Sequence, residues 1–132
     1  MIGQSFRATW SPRLLSVLRI MAGLLFLEHG LSKYFGFPTP SPASFQVMGI
    51  LELAGAIEIA GGALVAVGLF TRAAAFIASG EMAFAYFTSH FPKSFFPLAN
   101  GGDAAVLYCF IFLFIALEGA GPWSVDALRS RT

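Results

Sequence analysis

Four long apolar stretches dominate the pattern of hydrophobic and polar positions along the chain. They cover about residues 13–35, 46–70, 72–91 and 101–119. A helix needs about 20 mostly apolar residues to cross the hydrocarbon core of a bilayer, and each stretch meets or approaches that length. Residues 104–117 (AAVLYCFIFLFIAL) leave no polar face for water. The pattern predicts an all-α fold, with a single domain formed by a transmembrane antiparallel four-helix bundle.

Proline and glycine separate the apolar stretches. Ser11 and Pro12 suit an N-cap followed by proline in the first turn, so the first helix is predicted to begin near Arg13. Residues 36–42 (GFPTPSP) cannot continue a helix and predict an extended loop. The second connection, residues 68–72 (GLFTR), is so short that the second and third helices are predicted to form a tight antiparallel hairpin. The third connection contains further breakers, namely Pro92, Pro97 and Asn100–Gly102.

The composition agrees with a membrane protein. Of 132 residues, 57% are hydrophobic and only 11% are charged, whereas a soluble domain has about 25% charged residues. The lipid bilayer is therefore the predicted partner. A net charge of +1 provides no basic surface for phosphates, which excludes nucleic acid as a partner. A single cysteine excludes an internal disulfide, a CxxC redox pair and a thiolate zinc site.

Positive charges are distributed unevenly between the two ends of the predicted bundle. One end carries five arginines, namely Arg7, Arg13, Arg72, Arg129 and Arg131, and the other carries Lys33 and Lys93. The positive-inside rule predicts a multi-pass protein with both termini cytoplasmic. Glu28, His29 and Lys33 follow the first apolar run where a signal peptide would have a small-residue cleavage site. The first helix is therefore predicted to be retained.

Several ionisable residues lie inside the predicted spans, where each charge costs roughly 3 kcal/mol on insertion scales. Helical spacing places Glu81 on a stripe of alanines and Glu58 on a stripe of glycines. Stripes of small residues mark the faces along which membrane helices approach each other. The first helix has one comparable stripe, formed by Arg19, Gly23, Phe26, Gly30 and Lys33. The buried charges are therefore predicted to face the interior of the bundle.

These residues predict a polar ligand-binding pocket in the middle and outer half of the membrane. Its predicted residues are Glu28, His29, Lys33, Glu58, Glu81, His90, Asn100 and Asp103. No catalytic residue is assigned, and no metal site is predicted because no HxxH or ExxH spacing occurs.

Structural interpretations stand beside the functional ones. The intramembrane charges form either a ligand pocket or a purely structural network. Arg19 either reaches the lipid headgroups or forms a buried pair. Asn100 suits the N-cap of the fourth helix and Asp103 its first turn. His90 suits a position at the membrane interface, and Cys109 a small core residue.

The chain resembles the DoxX family of small four-span membrane proteins. The matching blocks cover nearly the whole chain in order: Glu28-His29-Gly30 with Lys33, Glu58 with Gly61-Gly62, Gly68-Leu-Phe-Thr-Arg72, Gly80-Glu81-Met82 with Tyr86-Phe87, His90-x-Pro92, Phe96-Pro97, Asn100-Gly101-Gly102 and Gly121-Pro-Trp-Ser-Val-Asp126. One departure is Asp103, where the family more often has glutamate.

The resemblance implies an integral protein of the bacterial inner membrane. It also implies an association with redox stress and with quinone-linked sulfur oxidation, through the related DoxD subunit of thiosulfate:quinone oxidoreductase. A quinone or a small sulfur compound is the implied ligand, and redox proteins are implied partners. Two functions follow from the same pocket. One is a redox-associated membrane subunit that moves protons, and the alternative is a non-enzymatic binder or transporter of a small amphiphile or solute.

Overall fold

All regular structure in the described part of the chain is helical. The computed structural model describes residues 1–40 and 49–132. Its helices are α1 (Ile2–Phe35), α2 (Ile50–Val67), α3 (Thr71–Ala85), α4 (Pro97–Asn100), α5 (Asp103–Glu118) and α6 (Val125–Arg129). After Ala85 the backbone continues as a π-helical turn, Tyr86–His90, and a 3-10 turn, Phe91–Lys93. The predicted all-α class is confirmed.

The long helices pack in antiparallel pairs. Along α1 and α2, Gly23 lies beside Ala66 and Gly30 lies beside Ile59. A Cβ atom on Gly23 would lie 2.5 Å from the backbone nitrogen of Ala66, so the two helix backbones are in contact there. α3 packs along α5, and α2 contacts α3 less extensively than it contacts α1.

The interior between the helices contains residues of the stripes that were predicted to face inward. Arg19, Gly23, Phe26 and Gly30 are buried on α1. Glu58 is buried on α2, and Ala74 and Ala78 are buried on α3. The core between the helices consists of alanines and larger apolar side chains, with Phe26 and Phe112 in edge-to-face contact.

Helix α1 begins earlier than predicted, at Ile2 instead of near Arg13, and Pro12 lies inside it. Proline removes the N–H that would reach the carbonyl of Ala8, and its ring pushes that carbonyl away. Because Ala8 is exposed, its carbonyl can be hydrated and the helix continues through the proline. The prediction of a helix start at Ser11-Pro12 was therefore wrong.

The other boundaries are close to the predicted ones. The predicted first turn of the second helix, from residue 46, falls partly on residues outside the described ones, and α2 begins at Ile50. It ends at Val67 because Gly68 adopts a positive φ of 74°, which starts the turn into α3. α5 occupies 103–118 within the predicted 101–119. The short helices α4 and α6 were not predicted.

Candidate functional site

A network of hydrogen bonds joins α1 and the segment after α5 to the end of α2 and its turn into α3. Arg19 is completely buried, and its Nε donates to the carbonyl of Ala120 at 2.7 Å. Its Nη1 donates to the carbonyls of Val65 and Ala66, both at 2.7 Å, and its Nη2 donates to that of Trp123. Arg19 is thus a buried structural residue whose partners are backbone carbonyls rather than an acidic side chain.

Asp126 and Arg72 bind the backbone at helix ends on the same side of the molecule. The carboxylate of Asp126, on α6, accepts hydrogen bonds from the backbone N–H groups of Phe70 and Thr71, both at 2.9 Å. It therefore caps α3 from a different helix. Arg72 donates to the last carbonyls of α5, at Ala116, Leu117 and Glu118. Burial alone would raise the pKa of Asp126, but its bonds from Thr71 and Phe70 and the charge of Arg129 lower the pKa below its ordinary value.

Acid should weaken this cap. Because the pKa of Asp126 is lower in the folded state, its contribution to the free energy of unfolding is fully present above its unfolded pKa of about 4 and is lost as the pH falls through the folded pKa. We expect Asp126→Asn to lower stability by about 1 kcal/mol at pH 7 and to reduce the acid sensitivity. Melting curves at pH 7 and pH 3.5 measure both effects. Asp103→Asn, an exposed residue in the first turn of α5, is the matched control, and equal behaviour of the two variants would contradict the cap.

A cavity of about 810 Å³ lies toward the opposite end of the bundle. Its walls come from α1, α2, α3 with its π-helical and 3-10 extension, and the start of α5. Apolar residues form much of the surface, including Phe26, Leu53, Ile57, Ile77 and Phe84. The polar lining consists of His29, Lys33, Glu58, Glu81, Thr88, Ser89, His90, Lys93 and Tyr108.

An ion pair lies in the wall of the cavity. Lys33 Nζ donates to Glu58 Oε1 at 2.6 Å. Glu58 is only 1% exposed, while the Lys33 side chain is 20% exposed. The close contact between Gly30 and Ile59 sets the relative height of α1 and α2 and so brings the lysine down to the carboxylate. A buried pair of this kind is stable only while both partners are present.

Glu81 faces the same cavity from α3. Both of its carboxylate oxygens are buried, and neither has a hydrogen-bond partner among residues 1–40 and 49–132. Glu58 Oε2 is in the same situation within these residues. We refer to Glu81 Oε1, Glu81 Oε2 and Glu58 Oε2 as the open acceptors. Buried polar atoms normally have a partner, so this group points to a ligand or to proton exchange.

Two histidines and a tyrosine also belong to the polar lining. His29 Nδ1 donates to the carbonyl of Leu25 at 2.8 Å, and His90 Nδ1 donates to the carbonyl of Asn100 at 3.1 Å. Because a carbonyl can only accept, Nδ1 of each ring carries a proton, and Nε2 is the ring nitrogen left for a ligand. The ring of Tyr108 meets His29 edge to face, with centroids 5.7 Å apart.

The cavity brings together five of the eight predicted site residues: His29, Lys33, Glu58, Glu81 and His90. It does not include Glu28 or Asp103, which are both exposed. Asp103 lies in the first turn of α5, as its structural interpretation predicted.

Asn100 lies beside the cavity and has a structural role. Its side chain donates to the carbonyl of Ser94 and to the hydroxyl of Tyr86, and it accepts from the N–H of Gly102. It does not cap α5, because the residue preceding α5 is Gly102; the N-cap prediction was wrong. Sequence reasoning did not assign Tyr108 to the site, although a hydroxyl within an otherwise apolar helix was an available signal.

Comparison with known proteins places the chain in a family. A family model described as DoxX matches residues 14–91, which is more than half of the chain. The chain belongs to the DoxX family. It is also 43% identical over 122 residues to an uncharacterized protein of Haemophilus influenzae, with 89% of this chain and 91% of the relative covered. No solved structure gives a significant match.

The DoxX match confirms the resemblance inferred from the sequence blocks. Its range contains Arg19 and five ionisable cavity residues, namely His29, Lys33, Glu58, Glu81 and His90. The cavity wall on α5 and the cap formed by Asp126 lie beyond the matched range.

Proposed function

We propose that this DoxX-family chain is a four-span protein of the bacterial inner membrane with both termini in the cytoplasm. Its outward faces are apolar: Phe110 is 64% exposed and Leu117 is 73% exposed. Its interior holds Arg19 and Glu58. Water-soluble proteins bury their large apolar side chains and rarely bury charges, so this distribution favours a lipid environment.

Helix lengths support the same proposal. Among the described residues, α1 is the one helix that is by itself long and apolar enough to cross a membrane. The 18 residues of α2 extend about 27 Å at 1.5 Å per residue, close to a bilayer core of about 30 Å. α3 and its extension together run from Thr71 to Lys93. The 16 residues of α5 extend about 24 Å, and a tightly packed bundle can match such a short helix by local thinning of the bilayer.

Reporter fusions test the proposed orientation. An alkaline phosphatase fused after Thr132 should be inactive and a fluorescent protein at the same position should be bright, because five arginines mark this end as cytoplasmic. A phosphatase inserted after Pro40 should be active. An active phosphatase at the C-terminus would contradict the orientation.

We propose further that the cavity binds an amphiphile, with the headgroup beside Glu81 and Lys33. The observation that carries this proposal is the group of open acceptors on the wall of a cavity with a largely apolar surface. An unpaired polar group in an apolar environment costs several kcal/mol, which a polar headgroup would offset. The cavity volume lies in the usual range of roughly 300 to 1,000 Å³ for small-molecule sites.

The apolar walls favour an amphiphile over a small sulfur compound. Leu53, Ile77 and Phe84 line the cavity and are also exposed on the outer surface of the bundle. An apolar tail could therefore pass between α2 and α3 into the surrounding lipid. A small anion would gain nothing from these side chains.

A quinone is the amphiphile that suits both the family and the site. Lys33 can donate to a headgroup, Glu81 can exchange a proton with it, and the histidine Nε2 atoms can accept. Electrons would reach the quinone through a partner protein, which makes the chain a redox-associated membrane subunit. Without such a partner, the same cavity would serve as a non-enzymatic binder of the amphiphile.

Ligand-induced stabilisation tests the proposed binding. We expect a decyl-substituted benzoquinone, tested separately in its oxidised and reduced forms, to raise the melting temperature of the detergent-purified protein in at least one form. At 100 times the dissociation constant the expected stabilisation is about 2.7 kcal/mol. Ala54→Phe places a ring in the cavity and should abolish this stabilisation.

Ala56→Phe is the matched control, because Ala56 is exposed on the same helix and does not line the cavity. It should keep the ligand response of the parent protein. Absence of any response in the parent, or equal responses of the two variants, would contradict binding in this cavity.

A further inference from the structure

We infer that the cavity selects the hydroxyl-bearing, reduced form of its amphiphile, a hydroquinone or phenol headgroup, over the carbonyl-only quinone. This selectivity rests on the proposed function, because it assigns the headgroup chemistry at the same site. It follows from the open acceptors, which receive no hydrogen bond from the described residues.

Three of the hydrogen-bond acceptors in the cavity are carboxylate oxygens of Glu58 and Glu81. The open acceptors are three buried oxygens that receive no hydrogen bond from the described residues. Glu58, which carries one of them, is only 1% exposed to solvent. A buried carboxylate is stable when N–H or O–H groups point at it. A ligand that fits these oxygens must therefore donate.

The histidines add polar groups on the same walls. His29 and His90 have each committed Nδ1–H to a backbone carbonyl, so Nε2 is the ring nitrogen that is left to contact a ligand. Both rings line the cavity.

The walls also carry donors. Lys33 Nζ donates one of its three N–H groups to Glu58 Oε1, which leaves two for a ligand oxygen. The hydroxyls of Ser89 and Tyr108 also line the cavity and can turn either way, and Lys93 lies at the exposed rim. A headgroup that satisfies both sets of groups must donate to the open acceptors and accept from Lys33.

The open acceptors distinguish the two redox forms. A hydroquinone has two hydroxyl groups that donate to carboxylate oxygens, whereas a quinone presents only carbonyl oxygens. Placing a carbonyl oxygen against a carboxylate brings two acceptors together and leaves both without a proton. Blocking both hydroxyls as methyl ethers keeps the ring and tail but removes the donors.

A series of three ligands tests this selectivity. The probes are decylhydroquinone, decylbenzoquinone and 1-decyl-2,5-dimethoxybenzene, titrated anaerobically into the purified full-length protein. We expect the hydroquinone to bind at least about tenfold more tightly than the dimethyl ether, since each donor faces a charged or strongly polar acceptor. Glu81→Gln should remove most of this advantage, and Glu52→Gln, an exposed glutamate of α2 that does not line the cavity, should keep it.

The outcomes separate the two proposals. Equal binding of the three probes, or tighter binding of the quinone, would overturn the selectivity while leaving an amphiphile site in place. Binding of none of them would overturn the proposed function itself. The comparison of probes on the unmodified protein decides the question even if Glu81→Gln fails to fold.

Discussion

Replacement of Arg19 by methionine should prevent the chain from accumulating as folded protein. The substitution leaves the carbonyls of Val65, Ala66, Ala120 and Trp123 without their common donor. Each buried acceptor that loses its partner costs about 1 to 3 kcal/mol, and a whole domain has only about 5 to 15 kcal/mol of stability. Arg19→Lys should also fail, because an ammonium group has three donors and no planar fork.

The yield of monodisperse protein on size-exclusion chromatography measures this effect. Arg7→Met is the matched control, since Arg7 is exposed on the same helix, and its yield should equal that of the parent. Normal yield and melting temperature of Arg19→Met would show that these carbonyls do not depend on the guanidinium.

Replacement of Lys33 by methionine should destabilise the protein by about 3 to 5 kcal/mol, because it leaves the buried Glu58 carboxylate without its counter-charge. The double variant Lys33→Met with Glu58→Gln should recover most of this loss, since neither charge of the pair is then left without the other. Thermal or denaturant unfolding in detergent measures the series. Lys93→Met, which removes an exposed cation, is the control.

A double variant no more stable than Lys33→Met alone would contradict the pairing. So would a Lys33→Met variant as stable as the parent. When Glu58→Gln is measured as well, the four proteins form a double-mutant cycle, which isolates the interaction between the two side chains.

Helical periodicity was sufficient to predict which faces turn inward. Residues spaced by three and four lie on one face of a helix, so the stripe containing Arg19, Gly23 and Gly30 could be predicted without a structure. The same rule put Glu58 and Glu81 against neighbouring helices. The assignment of Glu28 to the pocket was wrong, because Glu28 lies nine residues from Arg19, on the opposite side of α1, and is exposed.

Partners across helices could not be predicted in the same way. The acceptors of Arg19 are backbone carbonyls, and every residue has one, so no residue type marks them. The Lys33–Glu58 pair depends on the height at which α1 packs on α2 and on the reach of a long side chain. The cap that Asp126 provides for α3 depends on where α6 docks.

Short elements were missed because their signals are local and weak. Ser124 is the N-cap of α6 and accepts from the N–H of Ala127, but a single capping serine is common in loops as well. The change from α to π-helical backbone after Ala85 has no counterpart in the hydrophobic pattern. Pro92 indicated where the third helix ends but not the form of its last turns.

Photolabelling in membranes shows directly whether an amphiphile occupies the cavity. A decylhydroquinone carrying a diazirine beside the ring would be activated with the protein in membranes, and the modified residues identified by mass spectrometry. We expect adducts on cavity residues such as Ile57, Met82 and Tyr108, suppressed by excess unlabelled decylhydroquinone. Adducts spread over outward residues such as Phe110 and Leu117, and unaffected by the competitor, would contradict binding in the cavity.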